Sequence, residues 1–261
     1  MILHDNLMTS FENDVVSVLI PVYNASKHLE TTIKSALAQT YRSIELVLVD
    51  DCSTDNSWEI LNEYSNKHPN IACFRLAHNS GAAVARNQAL KMAKGRYVAF
   101  LDSDDLWYPE KIEKQLGLIK KENAAICFAA IEIIDEKERL LKSKRSIPER
   151  VDYSFLLQNT VIATSSVVID RAKTGAFEMP LIRAGQDYAT WLQLLRNGTI
   201  AYGINETLVK YRRREKSLSS NKLESVQQVW LIQVRNEGIN LTKATFNSIF
   251  FAVNAFKKYY L

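Results

Sequence analysis

Apolar positions in the first hundred residues follow two alternating rhythms. "VVSVLI" (15–20), "IELVLV" (44–49), "IACFRL" (71–76) and "RYVAFL" (96–101) are short, nearly continuous apolar runs bounded by polar turns, and they predict buried strands. Between them, apolar residues recur every three or four positions. "NASKHLETTIKSALAQ" (24–39) lines up Leu29, Ile33 and Leu37, with Ser26 as N-cap. "STDNSWEILNEY" (53–64) lines up Trp58, Leu61 and Tyr64 behind Ser53 or Thr54. "AAVARNQALKMAK" (82–94) reads as an alanine-rich helix closed by Gly95, after a turn at "HNSG" (78–81). So strict an alternation predicts a mostly parallel sheet covered by helices on both faces. Such sheets bind ligands beyond the carboxyl ends of their strands. Pro21 to Asn24, Asp50 and Asp51, His78 to Gly81, and Asp102 to Asp105 all fall there.

Beyond Asp105 the rhythm loosens. Pro109 suits the first turn of a helix that turns Ile112, Leu116 and Ile119 inward. "AICFAAIEII" (125–134), "RLLK" (139–142), "TSSVVID" (164–170) and "TLVKYRR" (207–213) predict further strands, and "KSKRSIPERVD" (142–152) a surface loop. "GQDYATWLQLLRNG" (185–198) predicts a helix with Asp187 in its first turn, and from about Asn221 the pattern is helical to the end.

Composition narrows the picture. A chain of 261 residues suits one large domain or two small ones. The formal charge of +4 is mild and does not call for nucleic acid. Three scattered cysteines, Cys52, Cys73 and Cys127, make neither a metal pattern nor a disulfide framework, which points to a reducing compartment. The first residues lack the basic flank and apolar core of a signal peptide, and no run approaches the ~18 apolar residues of a spanning helix. The aromatic tail with Lys257 and Lys258 fits two uses: an interfacial helix on an anionic membrane, or packing against the domain or a second subunit.

The sharpest feature is "FLDSDDLW" (100–107), three carboxylates in four positions after a predicted buried strand. Side chains of a strand alternate, so Asp102 and Asp104 are expected on one side. Carboxylates so close repel unless a cation neutralises them, and an open oxygen site favours Mg²⁺ or Mn²⁺ with room for substrate phosphates. The plainer reading is a turn, with Asp105 capping the next helix. A second acidic pair at another strand end, Asp50 and Asp51, favours the binding site.

The segments "VSVLIPVYNASKHLETTIKSALAQTY", "IELVLVDDCSTDNS", "NSGAAVARNQALKMAKGRYVAFLDSDD" and "GQDYATWLQLL" closely resemble the inverting, metal-dependent glycosyltransferases of family 2, from about Val15 to Ser219. The resemblance implies a GT-A fold over 1–220, with a Rossmann-like nucleotide half (about 15–105) and an acceptor half (106–220), followed by a helical extension (221–261). It implies transfer of a hexose, glucose or galactose, from a UDP-sugar to a polyprenyl-diphosphate-linked sugar, forming a β-linkage in O-antigen or similar assembly. It implies a cytoplasmic setting, with peripheral contact at the inner membrane and a homodimer as a further option.

Roles follow by resemblance. Pro21, Val22, Tyr23 and Asn24 match the loop along the nucleoside. Asp51 matches the carboxylate facing the uracil, and Asp50 shapes that pocket or merely turns the chain. Asn79 and Arg86 lie near the nucleotide, although Arg86 serves equally well in an ion pair. Asp102 matches the position near the ribose, Ser103 a nucleotide-binding one, Asp104 and Asp102 the metal ligands, and Asp187 the base. Family members usually carry Glu-Asp where this chain has Gln186-Asp187. Arg212, Arg213 and Arg214 match a late loop facing the diphosphate or acceptor, with Arg214 where a His is common. A nucleotidyltransferase would need a Gly-rich basic loop that "PVYNAS" lacks. A non-catalytic sugar-nucleotide-binding protein is the other alternative.

Overall fold

The computed structural model describes residues 11–142, 146–213 and 222–260. Its first half follows the expected alternation: β1 (Glu12–Val22), α1 (Leu29–Leu37), β2 (Ile44–Asp50), α2 (Ser57–Lys67), β3 (Ile71–Arg75), α3 (Ala82–Met92) and β4 (Gly95–Phe100). There follow β5 (Leu106–Trp107), α4 (Lys111–Lys121), β6 (Ile126–Ile134), β7 (Leu140–Lys142), β8 (Arg150–Val151) and α5 (Tyr153–Leu156). A 3₁₀ turn (Thr164–Ser166) leads into β9 (Val168–Asp170), α6 (Arg171–Thr174), α7 (Gln186–Leu195), β10 (Ala201–Arg212), α8 (Lys222–Arg235) and α9 (Leu241–Tyr260).

Among the described residues all ten strands join one sheet, ordered β3-β2-β1-β4-β9-β6-β10-β5, with β7 on β6 and β8 on β10. β1 pairs in parallel with β2 and β4, and β2 with β3. β9 then runs antiparallel between β4 and β6, joining this parallel half to a mixed half in which β10 lies parallel to β6 and antiparallel to β5. The early strands read as unbroken apolar runs because both faces are covered. Leu19, Val47, Val49, Val98 and Phe100 pack on one side with Ala85, Ala89, Trp191 and Leu192 of α3 and α7. Val18, Ile20, Leu46, Leu48 and Ala99 pack on the other with Leu29, Ile33, Ile112 and Leu116 of α1 and α4. Phe100 and Trp191 meet edge to face, with ring centroids 5.6 Å apart.

Several local expectations are corrected. Ser26 does not cap α1: its N–H donates to Asp55 Oδ2 at 3.0 Å, and the helix starts at Leu29. Neither Ser53 nor Thr54 caps α2, which starts at Ser57. Asp55 organises this entry by accepting from the N–H and hydroxyl of Ser57. Burial alone would raise its carboxyl, but the bonds from Ser57 and Ser26 hold it down at about 2. Gly95 closes no helix. It opens β4, where a Cβ would collide with the backbone of Val15. Pro109 precedes α4 rather than sitting in its first turn. The predicted loop contains β8, and Gly238, at φ 65°, lies in the break between α8 and α9.

Candidate active site

The rim beyond β1, β2 and β4 is built from tight local geometry. Pro21 and Val22 are buried at the end of β1, whereas Tyr23 projects into solvent. Asn24 and Cys52 occupy the left-handed backbone region, at φ 47° and 60°. Asn24 is stabilised there by donating its N–H to Ser53 Oγ (3.0 Å) and accepting from the N–H of Thr54 (2.8 Å). Asp51 is buried and accepts from the N–H groups of Ser80 (2.7 Å) and Gly81 (2.8 Å), which staples β2 to the turn before α3. Asn79 stands exposed on that turn. Asp50 points elsewhere. It is fully buried, accepts from the N–H of Ser53 (3.1 Å) and pairs with Arg75 Nε (3.1 Å). Asp50 is thus a turn and ion-pair residue, the second of the two readings its position left open.

The acidic segment is a turn rather than a strand end. Asp105 N–H donates to the carbonyl of Asp102 at 3.1 Å, so alternation along a strand does not set where Asp102 and Asp104 point. Thr32 Oγ1 reaches the carbonyls of both Ser103 (3.1 Å) and Asp105 (3.0 Å) from beneath. Asp102 is half-buried and pairs with Arg86 at 2.5 Å. Arg86 thus takes the ion-pair role left open by its sequence position. Ser103 is buried. Asp105 caps no helix: it is 1% exposed and accepts from Ser165 Oγ (2.6 Å) and the N–H of Arg212 (2.8 Å). Burial, then the neighbouring Asp104 and Asp102 carboxylates, hold it well above the usual carboxylate range.

Arg212 also departs from expectation. It is 2% exposed. Its guanidinium donates to the carbonyls of Asp104 (2.8 Å) and Asp135 (3.0 Å) and to Glu138 Oε1 (3.2 Å). A side chain spent this way anchors the acidic turn and is not available to clamp a diphosphate. Arg213 is exposed beside it, and Arg214 lies outside the described residues.

The second carboxylate arrives from the other half of the chain. α7 opens behind Gly185, at φ 73°, and sets Asp187 half-buried in its first turn. Thr164 Oγ1 donates to Asp187 Oδ2 at 2.9 Å. The next residue, Ser165, accepts from the N–H of Asp102 (3.0 Å) and donates to Asp105. Its carbonyl is held by Trp107 Nε1 at 2.8 Å. One 3₁₀ turn therefore grips both the acidic loop and Asp187. Tyr211 sits among the same groups: burial, then Asp105, Asp102, Asp104 and Asp187, push its phenol far above the usual range.

Thr164, Ser165 and Tyr211 were not legible as site residues. "TSSVVID" reads as one strand, yet only Val168–Asp170 pairs, and nothing in a run of hydroxyls names partners 23 positions away for Thr164 and 60 and 63 away for Ser165.

Among the described residues no three His, Cys, Asp or Glu side chains form a cation cage. Asp104 and Asp102, both half-buried, are the residues that could serve a different kind of site, in which one or two carboxylates hold a hard cation and substrate oxygens complete it. Arg86 already neutralises part of the charge on Asp102.

A parallel nucleotide-type half-sheet ending in an acidic turn, joined to a mixed half that supplies a further carboxylate, defines the GT-A class of transferases. Residues 17–177 match the model of Glycosyl transferase family 2, and the chain belongs to that family. It is 43% identical over 244 residues to the putative teichuronic acid biosynthesis glycosyltransferase TuaG of Bacillus subtilis (strain 168), covering 94% of this chain and 97% of that one. It is 38% identical over 213 residues to the Escherichia coli UDP-Glc:alpha-D-GlcNAc-diphosphoundecaprenol beta-1,3-glucosyltransferase WfaP, covering 82% and 83%. The fold is also that of the mannosyltransferase PcManGT from Pyrobaculum calidifontis, solved with GDP-Man and Mn²⁺: TM-score 0.66, 16% identity, 91% of this chain and 73% of that one.

Proposed function

We propose that this glycosyltransferase is inverting and metal-dependent. It moves a hexose, glucose or galactose, from a UDP-sugar to a hydroxyl of a sugar carried on a polyprenyl diphosphate, in surface-polysaccharide assembly of the O-antigen or teichuronic type. The observation that carries the reading is the Thr164–Ser165 turn, which holds Asp187 and the acidic loop in one framework. The names of TuaG and WfaP support the substrate classes.

In this reading residues 15–105 form the nucleotide half, 106–220 the acceptor half and 221–261 a helical extension. Tyr23, Asn24, Asn79 and Asp51 border the nucleoside. Each oxygen of Asp51 carries one backbone N–H and keeps a second lone pair for a base N–H. Asp104 and Asp102 would hold Mn²⁺ or Mg²⁺, which supplies charge neutralisation to a departing diphosphate. Asp187 takes the proton from the acceptor hydroxyl as that oxygen attacks the anomeric carbon. The new C–O bond forms as the bond to the diphosphate breaks on the opposite face, so an α-linked donor yields a β-linkage. Thr164 orients the base, and Arg212 and Ser165 fix the acidic turn. A lipid-borne acceptor sets the reaction at a membrane surface, on the cytoplasmic side where UDP-sugars are found.

The test is a panel of UDP-sugars with Mn²⁺ and a short-chain lipid-diphosphate GlcNAc acceptor. Transfer should require the metal. Asp187→Asn should cut it about 10²- to 10⁴-fold while UDP still binds. Nucleotide binding with neither transfer nor slow hydrolysis from any donor would favour a non-catalytic sugar-nucleotide-binding protein instead.

A further inference from the structure

The outer face of α9 is apolar and has no protein against it among the described residues. Its inner face is pinned. Ala244, Asn247, Ser248 and Phe251 are buried, and Asn247 bonds Gln233 (3.0 Å) and Gln158 (3.2 Å). Phe251 meets Tyr188 of α7 edge to face, with centroids 6.5 Å apart. These contacts fix the rotation of the helix and turn Phe246, Ile249, Phe250 and Val253 outward, between 42% and 58% exposed. Their spacing of three, four and seven is one continuous stripe. Trp230 of α8 borders it, with its N–H donated to Thr245 Oγ1 (3.1 Å).

Charge identifies what covers the stripe. Leu241–Tyr260 holds three lysines and no acidic residue. Lys243 is exposed one turn before Phe246, and Lys257 and Lys258 follow Val253 in the sequence. The acid nearest to α9 in the sequence, Glu237, is already taken by Arg196 (2.9 Å) and Tyr153 (2.9 Å). A second copy docked face to face would set lysines against lysines. Four side chains also fall far short of the roughly 1,000 Å² that a specific protein interface needs. Anionic headgroups answer the lysines, and the acyl boundary takes the aromatic and aliphatic side chains. No helix among the described residues is long and apolar enough to cross a membrane.

We propose that α9 lies flat on an anionic phospholipid surface, with Phe246, Ile249, Phe250 and Val253 inserted and Lys243 at the headgroups. Through Phe251 and Tyr188 the docked helix is one packing layer from α7, which carries Asp187. The inference deepens the proposed function by naming the surface that meets a membrane-borne acceptor.

The test is flotation of the full chain with acceptor-free vesicles, so it does not depend on transfer. Vesicles of phosphatidylcholine with phosphatidylglycerol should carry the protein up, and vesicles of phosphatidylcholine alone should not. Salt should weaken binding, and each lysine replaced by glutamine should weaken it about fivefold. The triple variant Phe246→Ser, Ile249→Ser, Phe250→Ser should abolish flotation, with circular dichroism and UDP binding unchanged. Absence of flotation, equal binding to both vesicle types, or unchanged binding by the triple variant would overturn the proposal. So would a dimer in solution that the triple variant dissociates, since a second copy would then cover the face. Any of these results with transfer to a short-chain acceptor intact would leave the proposed activity standing.

Discussion

Replacing Thr164 by valine deletes one hydroxyl and keeps the shape of the side chain. That hydroxyl donates to Asp187 Oδ2 at 2.9 Å, and Thr164 itself is buried. A hydrogen bond to a charged acceptor contributes about 1.5–3 kcal/mol, and water recovers part of it because Asp187 is only half-buried. About 1–2 kcal/mol of positioning remains, which corresponds to a roughly 5- to 30-fold fall in kcat. The KM for the UDP-sugar should hold, since the Thr164 hydroxyl bonds Asp187, whereas Asp51 is held by Ser80 and Gly81. Initial rates of UDP release with the donor varied at saturating acceptor measure both. Thr164→Ser, which restores a hydroxyl, should return most of the rate. A valine variant within about twofold of the parent kcat would refute the argument. Equal losses in the valine and serine variants would assign the effect to packing instead of the hydrogen bond.

Three further outcomes follow from the same geometry. Arg212→Met removes the donor to the Asp104 carbonyl and leaves a buried gap in that network. It should cost about 2–3 kcal/mol in urea unfolding and weaken Mn²⁺-dependent UDP binding. Lys111 is fully buried with Nζ over the Trp107 ring at 4.0 Å, has no hydrogen-bond partner among the described residues, and is pushed by burial down to about 7. The folded chain therefore loses this proton near pH 7 and the unfolded chain only near 10.5, so stability from this group rises with pH across that window. Lys111→Met should stabilise by about 5 kcal/mol at pH 6, with the gain shrinking towards pH 10, as read by urea titrations at both pH values. Gly95→Ala drives a Cβ into the Val15 backbone and should lower stability by about 2–3 kcal/mol without changing the donor KM.

The parallel half of this protein is written plainly in its sequence. β1, β2 and β4 are apolar on both faces because helices cover both faces, whereas β3, at the sheet edge, buries only Ile71 and so corrects the expectation of a buried strand there; the intervening helices carry their own periodicity. Those signals are local, so the rim and its acidic turn could be located without coordinates. The first-turn position of Asp187 was legible from the helical pattern, where an acid is also favourable for its own sake. What only the tertiary structure decided depends on partners far apart in the chain. β5, β8 and β9 have two or three residues each, too few to carry a period, and exist because longer strands pair with them. Arg212 belongs to a run of arginines that the resemblance sets in a loop facing the diphosphate or acceptor, yet burial at the end of β10 turns it inward against the acidic turn. Asp50 and Asp51 are adjacent and chemically identical in sequence, but the left-handed backbone at Cys52 follows them, and one points to Arg75 while the other points to the turn before α3. The Thr164–Ser165 turn is the clearest case: a hydroxyl's worth depends on what faces it, and Asp105 and Asp187 meet it only after the sheet has closed from both halves.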